Sequence, residues 1–145
     1  MNKNIFNKVL TEKSIKNTYL YSMIAQDKLE NEVFLKESLT YLENLGFDNI
    51  QADVEGYETP KSYLKMGSDI TITPDIVAEK GGRKHYFEIS LKSEEPKLLK
   101  SKWRFLDVLT RMKDHRFKII TRRGHYKFTQ DMLDDLNLDK SPIKL

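Results

Sequence analysis

The chain has 145 residues and a net charge of +3, with 39% hydrophobic and 32% charged residues. This size predicts a single domain, and the composition is typical of a globular protein and not of a disordered one. No apolar run approaches the ~20 residues that span a bilayer, and the polar start "MNKNIFNKVLTEK" lacks the apolar core of a signal peptide. We therefore expect a cytoplasmic protein without a membrane partner. The absence of cysteine excludes disulfides, thiolate zinc sites and cysteine nucleophiles.

The first part of the chain is predicted to be helical. Apolar residues at helical spacing within residues 1–26 indicate one or two short helices. A stronger helix is predicted from Asp27, which suits an N-cap, to Leu45, and Gly46 suits the left-handed residue after a helix C-terminus. The apolar stripe of this helix is formed by Leu35, Leu39 and Leu42. The segment "FDNIQADV" then predicts a strand, and residues 55–68 a long loop or the end of a hairpin.

The stretch "ITITPDIVAEKGGRKHYFEISLK", residues 70–92, predicts two antiparallel strands joined by Gly81 and Gly82. If these glycines are the central residues of the turn, residue 80 pairs with 83 and each further pair steps outward by one. Asp75 then faces Glu88. Because side chains alternate between the two sides of a strand, one face is expected to be core and the other polar. The second face is expected to carry Thr71, Thr73, Asp75, Tyr86, Glu88, Ser90 and Lys92.

The opposed acids Asp75 and Glu88 carry like charges at close range. Directly opposed residues have Cβ atoms about 4.5 to 5.5 Å apart, and like charges so placed are destabilising. A shared proton or a bound cation would offset the repulsion, and a hard divalent ion such as Mg²⁺ suits two carboxylates. The alternative is an exposed sheet face on which water and nearby lysines screen the two carboxylates. The residues themselves leave both interpretations open.

The remaining elements follow the hairpin. "SEEPKLLKSKWRFLDVLTRMKDH" predicts a helix with Pro96 in its first turn, and "RFKIITRR" predicts a strand. A last helix is predicted to be capped by Thr129 and to end at Leu136. The apolar side of the first of these helices is expected to bury Leu98, Leu99, Leu106, Leu109 and Met112. The order of helix, three strands, helix, strand and helix predicts an α/β protein with a mixed sheet flanked by helices.

Positive charge is concentrated in residues 96–128, which hold eleven Lys or Arg residues against Asp107 and Asp114 and have a net charge of +9. Such a block indicates an anionic partner, with nucleic acid as the first candidate, because phosphate neutralisation supplies most non-specific affinity. The alternative is a solvated lysine-rich face. The candidate DNA-binding residues are Lys97, Lys100, Arg104, Arg111, Arg122, Arg123 and Lys127.

Three stretches resemble the PD-(D/E)xK nuclease superfamily. They are "PDIVA" at 74–78, "YFEIS" at 86–90 and "NEVFLKESLTYLENLGF", which is similar to the glutamate-bearing first helix of the archaeal Holliday-junction resolvase branch. The resemblance covers residues 28–122. It implies a restriction-endonuclease-like fold with an αβββαβ core at 27–122, preceded by extra N-terminal helices and followed by a C-terminal helix and tail at 123–145.

The resemblance also implies a site and its cofactor. Asp75 and Glu88 would bind Mg²⁺ or Mn²⁺, with the carbonyl of Ile89 as a third ligand. Glu32, near the inward stripe of the first helix, would be the helix glutamate. The product would be a hydrolysed phosphodiester bond in DNA.

This sequence departs from the family at one position. The family has a lysine two residues after the glutamate, where this chain has Ser90. Lys92 is expected on the same strand face and is assigned the catalytic role, with Lys97 or Lys100 as alternatives on the next helix.

Three functional hypotheses follow. The first is a metal-dependent DNA endonuclease, with branched or phage-related DNA as the expected substrate. The second is a catalytically impaired nuclease-fold protein that binds DNA or acts in assembly, because of Ser90. The third is a subunit that uses this fold as a scaffold in a virion or complex. The resemblance further implies a homodimer.

Overall fold

The computed structural model describes residues 30–145. The chain divides into two units, Met1–Val33 and Phe34–Leu145. The predicted N-terminal extension and the N-cap at Asp27 lie outside the described residues. Within residues 30–145, no helix is long and apolar enough to cross a membrane.

The described part of the chain contains three helices and seven strands. The helices are α1 (residues 30–44), α2 (Pro96–Met112) and α3 (Tyr126–Asp135). The strands are β1 (Asp48–Ala52), β2 (Tyr63–Leu64), β3 (Thr71–Ile72), β4 (Ile76–Lys80), β5 (Arg83–Ser90), β6 (Arg116–Thr121) and β7 (Ile143–Lys144).

Five strands form one sheet in the order β1-β4-β5-β6-β7, and β2 with β3 forms a separate hairpin. The pairs β1–β4 and β4–β5 are antiparallel, whereas β5–β6 and β6–β7 are parallel. The predicted α/β class with a mixed sheet is therefore confirmed. Strand β7 lies within the segment that was predicted to be a tail.

The predicted register of the β4–β5 hairpin is confirmed. Its pairs run from Ile76 with Phe87 to Lys80 with Arg83. Gly81 and Gly82 both have positive φ, at 60° and 75°, which is the backbone of a type I′ two-residue turn that glycine adopts without strain.

The predicted strand over residues 70–80 is interrupted. β3 ends at Ile72 and pairs with β2, while β4 begins at Ile76 and pairs with β1 and β5. Pro74 lies in the interruption, where its lack of an N–H group prevents it from donating to a sheet ladder. The interruption leaves Asp75 just outside the paired strand.

Both faces of the sheet are buried, so the prediction of one core face and one polar face is wrong. Val77 and Tyr86 pack in a cluster with Trp103 of α2. Ile76 and Phe87 pack on the other face, in a second cluster with the buried residues of α1. β5 is a central strand with helices on both sides, so its polar residues Glu88 and Ser90 are buried as well.

Helix α2 is amphipathic, but its buried side differs in detail from the prediction. Trp103 and Leu106 are fully buried and belong to the core. Leu98 and Met112 are 64% and 80% exposed, so their predicted burial is wrong. Thr129 does not cap α3, because it is buried within that helix, which has His125 at its N-cap.

Strand β1 is an irregular edge. Its register with β4 shifts between Asp48 and Gln51, where Asn49 has a positive φ of 48° and donates a side-chain hydrogen bond of 2.9 Å to Glu79. On the side away from β4, the N–H of Ala52 donates to the carbonyl of Glu58, in the following loop, at 2.9 Å. The shift and the loop together interrupt the row of free backbone groups that an edge strand presents.

Candidate active site

Two carboxylates meet where β4 begins and β5 ends. The backbone N–H of Asp75 donates to Glu88 Oε2 at 2.8 Å, and the N–H of Ile89 donates to Asp75 Oδ2 at 2.9 Å. One oxygen of each carboxylate is therefore held by the backbone of the opposite strand. The acids are opposed across the hairpin, as the register predicts.

The other oxygen of each carboxylate lies next to Lys102 of α2. The Lys102 ammonium is 3.2 Å from Asp75 Oδ1 and 3.0 Å from Glu88 Oε1. The contact with Asp75 is a hydrogen bond, whereas the contact with Glu88 lacks hydrogen-bond geometry and leaves the buried Oε1 without a hydrogen bond. We call Asp75, Glu88 and Lys102 the acid–lysine centre.

The three side chains of the centre differ in burial. Glu88 is fully buried, whereas the side chains of Asp75 and Lys102 are 28% and 25% exposed. Burial raises the pKa of Glu88 well above its ordinary value, and the charge of Asp75 raises it further, while Lys102 opposes both effects. Burial alone would lower the pKa of Lys102, but the two carboxylates outweigh it and raise this pKa. Lys102 therefore stays charged.

Lys102 also offsets the repulsion between the two acids, for which the sequence predicted a shared proton, a divalent cation, or screening by water and nearby lysines. It was missed as a site residue, although the sequence contains a signal for it. Leu99, Lys102 and Leu106 are spaced three and four residues apart, which places the lysine on the buried side of α2. A lysine is almost never buried without a partner. Its place in this stripe therefore indicates a buried acid nearby.

Ser90 cannot be exchanged for the family's lysine, because it is fully buried. Its hydroxyl lies 2.7 Å from that of Thr129, and the Thr129 hydroxyl lies 2.9 Å from that of Thr121. Thr121 in turn donates to the Ser90 carbonyl at 3.1 Å. These three residues form a closed hydroxyl layer between β5, β6 and α3.

Lys92 is not the lysine at the two acids. Strand β5 ends at Ser90, so the alternation of side chains does not extend to Lys92, which is exposed in the loop before α2. Its backbone N–H donates to His125 Nδ1 at 2.8 Å. The lysine beside the acids is Lys102, on the same helix as Lys97 and Lys100.

Two further predicted site residues keep their status as predictions. Glu32 is exposed on α1 and belongs to the first unit of the chain. The N–H of Ile89 binds Asp75, and the role of its carbonyl as a metal ligand is not decided by this contact.

The predicted DNA-binding residues are at least partly exposed, but several are engaged. The ion pairs are Lys100 with Asp135 at 2.8 Å, Arg111 with Asp107 at 2.8 Å and Lys127 with Asp131 at 3.3 Å. The guanidinium of Arg122 lies 5.6 Å from the centre of the Phe34 ring. Within residues 30–145, Lys97, Arg104 and Arg123 have no acidic group within ion-pair distance.

The acid–lysine centre fits a hard cation in part. Asp75 Oδ1 and the unbonded Glu88 Oε1 converge on the position that the Lys102 ammonium now takes. Among residues 30–145, no three His, Asp or Glu side chains are grouped as metal ligands. Mg²⁺ needs only one or two carboxylates because it keeps several waters. The two acids can therefore hold it if Lys102 moves aside.

No protein-family model matches the chain, and no curated protein or solved structure matches it. The membership of the PD-(D/E)xK superfamily, the homodimer and the cytoplasmic location therefore stay predictions.

Proposed function

We propose that this chain is a metal-dependent DNA endonuclease of the PD-(D/E)xK type that hydrolyses phosphodiester bonds at the acid–lysine centre. The observation that supports the proposal is the convergence of Asp75, Glu88 and Lys102 within 3.2 Å. Two carboxylates beside one lysine are the side chains that such hydrolysis requires. Lys102 replaces the lysine expected at position 90 and reaches the acids from α2.

Asp75 and Glu88 would hold Mg²⁺ or Mn²⁺ through Oδ1 and Oε1, with the Ile89 carbonyl as the expected third ligand. When bound, the metal supplies a water of lowered pKa and positive charge near the phosphate. The backbone hydrogen bonds to Oδ2 and Oε2 keep both carboxylates aimed at one point. This orientation costs nothing at the moment of reaction.

Lys102 would bind the scissile phosphate through its ammonium and stabilise the negative charge that develops in the transition state. A lysine ammonium beside a phosphate keeps its charge at neutral pH, because its ordinary pKa lies well above 7 and a nearby anion favours the charged form. Asp75 and Lys102 are partly exposed while Glu88 is buried. The phosphate therefore approaches from the side of Asp75 and Lys102, and Glu88 anchors the centre from below.

The test is cleavage of linear, nicked and branched DNA in Mg²⁺ or Mn²⁺. Asp75→Asn and Lys102→Met should each lower the cleavage rate at least about 100-fold, because the first weakens the metal site and the second removes a charge used at the phosphate. Asp53→Asn, a change of an exposed acid, is the matched control and should cleave normally. Metal-dependent cleavage that persists in Asp75→Asn would refute the assignment.

The second candidate is a nuclease-fold protein that binds DNA without cutting it. The observation that favours it is that Lys102 already offsets the charge of both acids, so the fold does not need a metal for stability. DNA binding that weakens steeply with salt, together with no product in either metal, would favour this candidate.

A further inference from the structure

A groove lies along α2 beside the β2–β3 hairpin and encloses about 450 Å³. This volume is within the range of small-molecule sites. Its lining includes Lys65, Lys97, Lys100, Ser101, Arg104 and Phe105. We call it the α2 groove.

The α2 groove has an excess of positive charge. Four of its lining residues are cationic and none is acidic. Lys100 pairs with Asp135, and Lys65 donates to the Ser101 hydroxyl at 3.0 Å. Within residues 30–145, Lys97 and Arg104 have no acidic partner. The groove therefore presents unbalanced positive charge to an anion.

The adjoining groove on α2 offers a contrast. It shares Arg104 with the α2 groove but is also lined by Asp107 and Asp139. Asp107 pairs with Arg111 at 2.8 Å and with Lys140 at 3.7 Å. An anion is therefore favoured in the α2 groove over its neighbour.

The α2 groove also contains an aromatic surface. Phe105 lines it and contacts Tyr63, with the ring centres 6.3 Å apart and the rings tilted by 52°. The hydroxyl of Tyr63 is fixed in turn by that of Tyr86 at 2.7 Å. A supported aromatic ring beside cations suits a ligand that has both a flat base and a phosphate.

The cations of the α2 groove and the acid–lysine centre lie on different sides of α2. Because successive helical residues are turned by 100°, Lys97 and Arg104 point about 140° and about 160° away from Lys102, whereas Phe105 points about 60° away from it. A phosphate bound by Lys97 and Arg104 is therefore separate from a phosphate bound at Lys102.

We propose that the α2 groove binds a nucleotide, with Lys97 and Arg104 on its phosphate and Phe105 against its base. The source is either a free nucleotide or one nucleotide of an unpaired strand. The second source rests on the proposed function, since it makes the groove a subsite for a single-stranded part of the substrate.

The experiment is a titration of the full chain in EDTA, so that binding is measured without cleavage. The probes are dAMP, deoxyribose 5-phosphate, inorganic phosphate and a short 5′-phosphorylated oligonucleotide, as a single strand and as a duplex. Backbone amide shifts should locate dAMP at residues 97–108. We expect dAMP to bind about tenfold more tightly than deoxyribose 5-phosphate, because only dAMP can stack.

Two variants separate the phosphate and base contacts. Lys97→Ala with Arg104→Ala should weaken dAMP at least tenfold. Phe105→Leu should weaken the binding of dAMP about tenfold and leave the binding of deoxyribose 5-phosphate unchanged. The matched control is the double variant Arg116→Ala with Lys118→Ala. Both residues are exposed on β6, and they alternate with residues that pack toward α2, so they lie on the sheet face away from the groove. Thermal unfolding checks that each variant is folded.

Each outcome decides the proposal. Equal affinity for dAMP, deoxyribose 5-phosphate and inorganic phosphate would overturn the nucleotide site, as would unchanged dAMP binding by the Lys97 and Arg104 double variant. A single strand that binds more tightly than dAMP identifies a strand as the source, and equal affinity identifies a free nucleotide. If dAMP binds but no DNA is cleaved, the nucleotide site stands and the proposed function is rejected. If DNA is cleaved but dAMP does not bind, the proposed function stands and the nucleotide site is rejected.

Discussion

The two sides of α2 use lysine in opposite ways. Lys102 is three-quarters buried and lies between two carboxylates at 3.0 and 3.2 Å. Lys97 is exposed on the other side and has no acidic partner within residues 30–145. The first lysine is needed to balance buried charge, whereas the second is available to bind an anion. Burial and partners therefore distinguish a lysine that balances two acids from a lysine whose charge no acid within residues 30–145 balances, on one helix.

The largest expected effect comes from moving the lysine from α2 to the strand. Ser90→Lys would put a charge into the closed hydroxyl layer at Thr121 and Thr129. We expect it to lower the free energy of unfolding by at least about 3 kcal/mol, because it buries an unpaired charge and overpacks the core. Urea unfolding measures the loss. The control Ser141→Lys, at an exposed serine, should be neutral, and a Ser90→Lys protein of normal stability would contradict the prediction.

The next largest effect is expected from removing the charge of Lys102, and the same change at Lys97 is the comparison. Lys102→Met should lower the free energy of unfolding by about 3 kcal/mol at pH 8, because it leaves buried acids without a counter-charge. The loss should be smaller at pH 5, since Glu88 then takes up a proton. Lys97→Met should change stability by less than about 0.5 kcal/mol. Equal losses for the two variants in urea unfolding would remove the distinction between the sides of α2.

A smaller effect concerns the pH dependence of stability. The pKa of Glu88 is raised in the folded protein, so its contribution is most favourable below the ordinary carboxyl pKa and is lost as pH rises toward the folded value. Stability should therefore fall above about pH 5 in the native protein, and Glu88→Gln should flatten this fall by about 1 kcal/mol. Thermal unfolding between pH 5 and 8 measures it, and parallel profiles would show that Glu88 is not the cause.

The smallest effect on stability is expected on the outer side. Lys97→Ala with Arg104→Ala should change the free energy of unfolding by less than about 0.5 kcal/mol, since both residues are exposed. The same change should reduce the salt dependence of DNA binding. The slope of the logarithm of the binding constant against the logarithm of the salt concentration should be smaller in magnitude by about 2. Binding titrations at several salt concentrations measure the slope. An unchanged slope would show that this side of α2 does not contact phosphate.

The register of the β4–β5 hairpin could be predicted because it depends on local residues. Gly81 and Gly82 determine the turn, and the turn determines every pair up to Ile76 with Phe87, which brings Asp75 opposite Glu88. The α/β class could be predicted for the same reason, since each helix and strand has its own periodicity. Pro74 could have indicated that the strand is interrupted, but the alternation of polar and apolar residues on both sides of it favoured one continuous strand.

The lysine at the centre could not be assigned by analogy alone. The family pattern directed attention to Ser90 and to Lys92, whereas the contact depends on how α2 packs on the sheet, which is a tertiary property. The exposure of Leu98 and Met112 has the same origin, because periodicity predicts a stripe but not how far the sheet covers it. The burial of both sheet faces also depends on α1 and α2 together.

The irregular start of β1 has a consequence for self-association. A regular outer strand would offer a second copy a template for continuous strand pairing, but the register shift at Asn49 and the loop bond to Ala52 remove that template. Two copies cannot extend this sheet through β1 without first rebuilding it. A dimer would have to form through another surface, and growth into fibrils is disfavoured from this side.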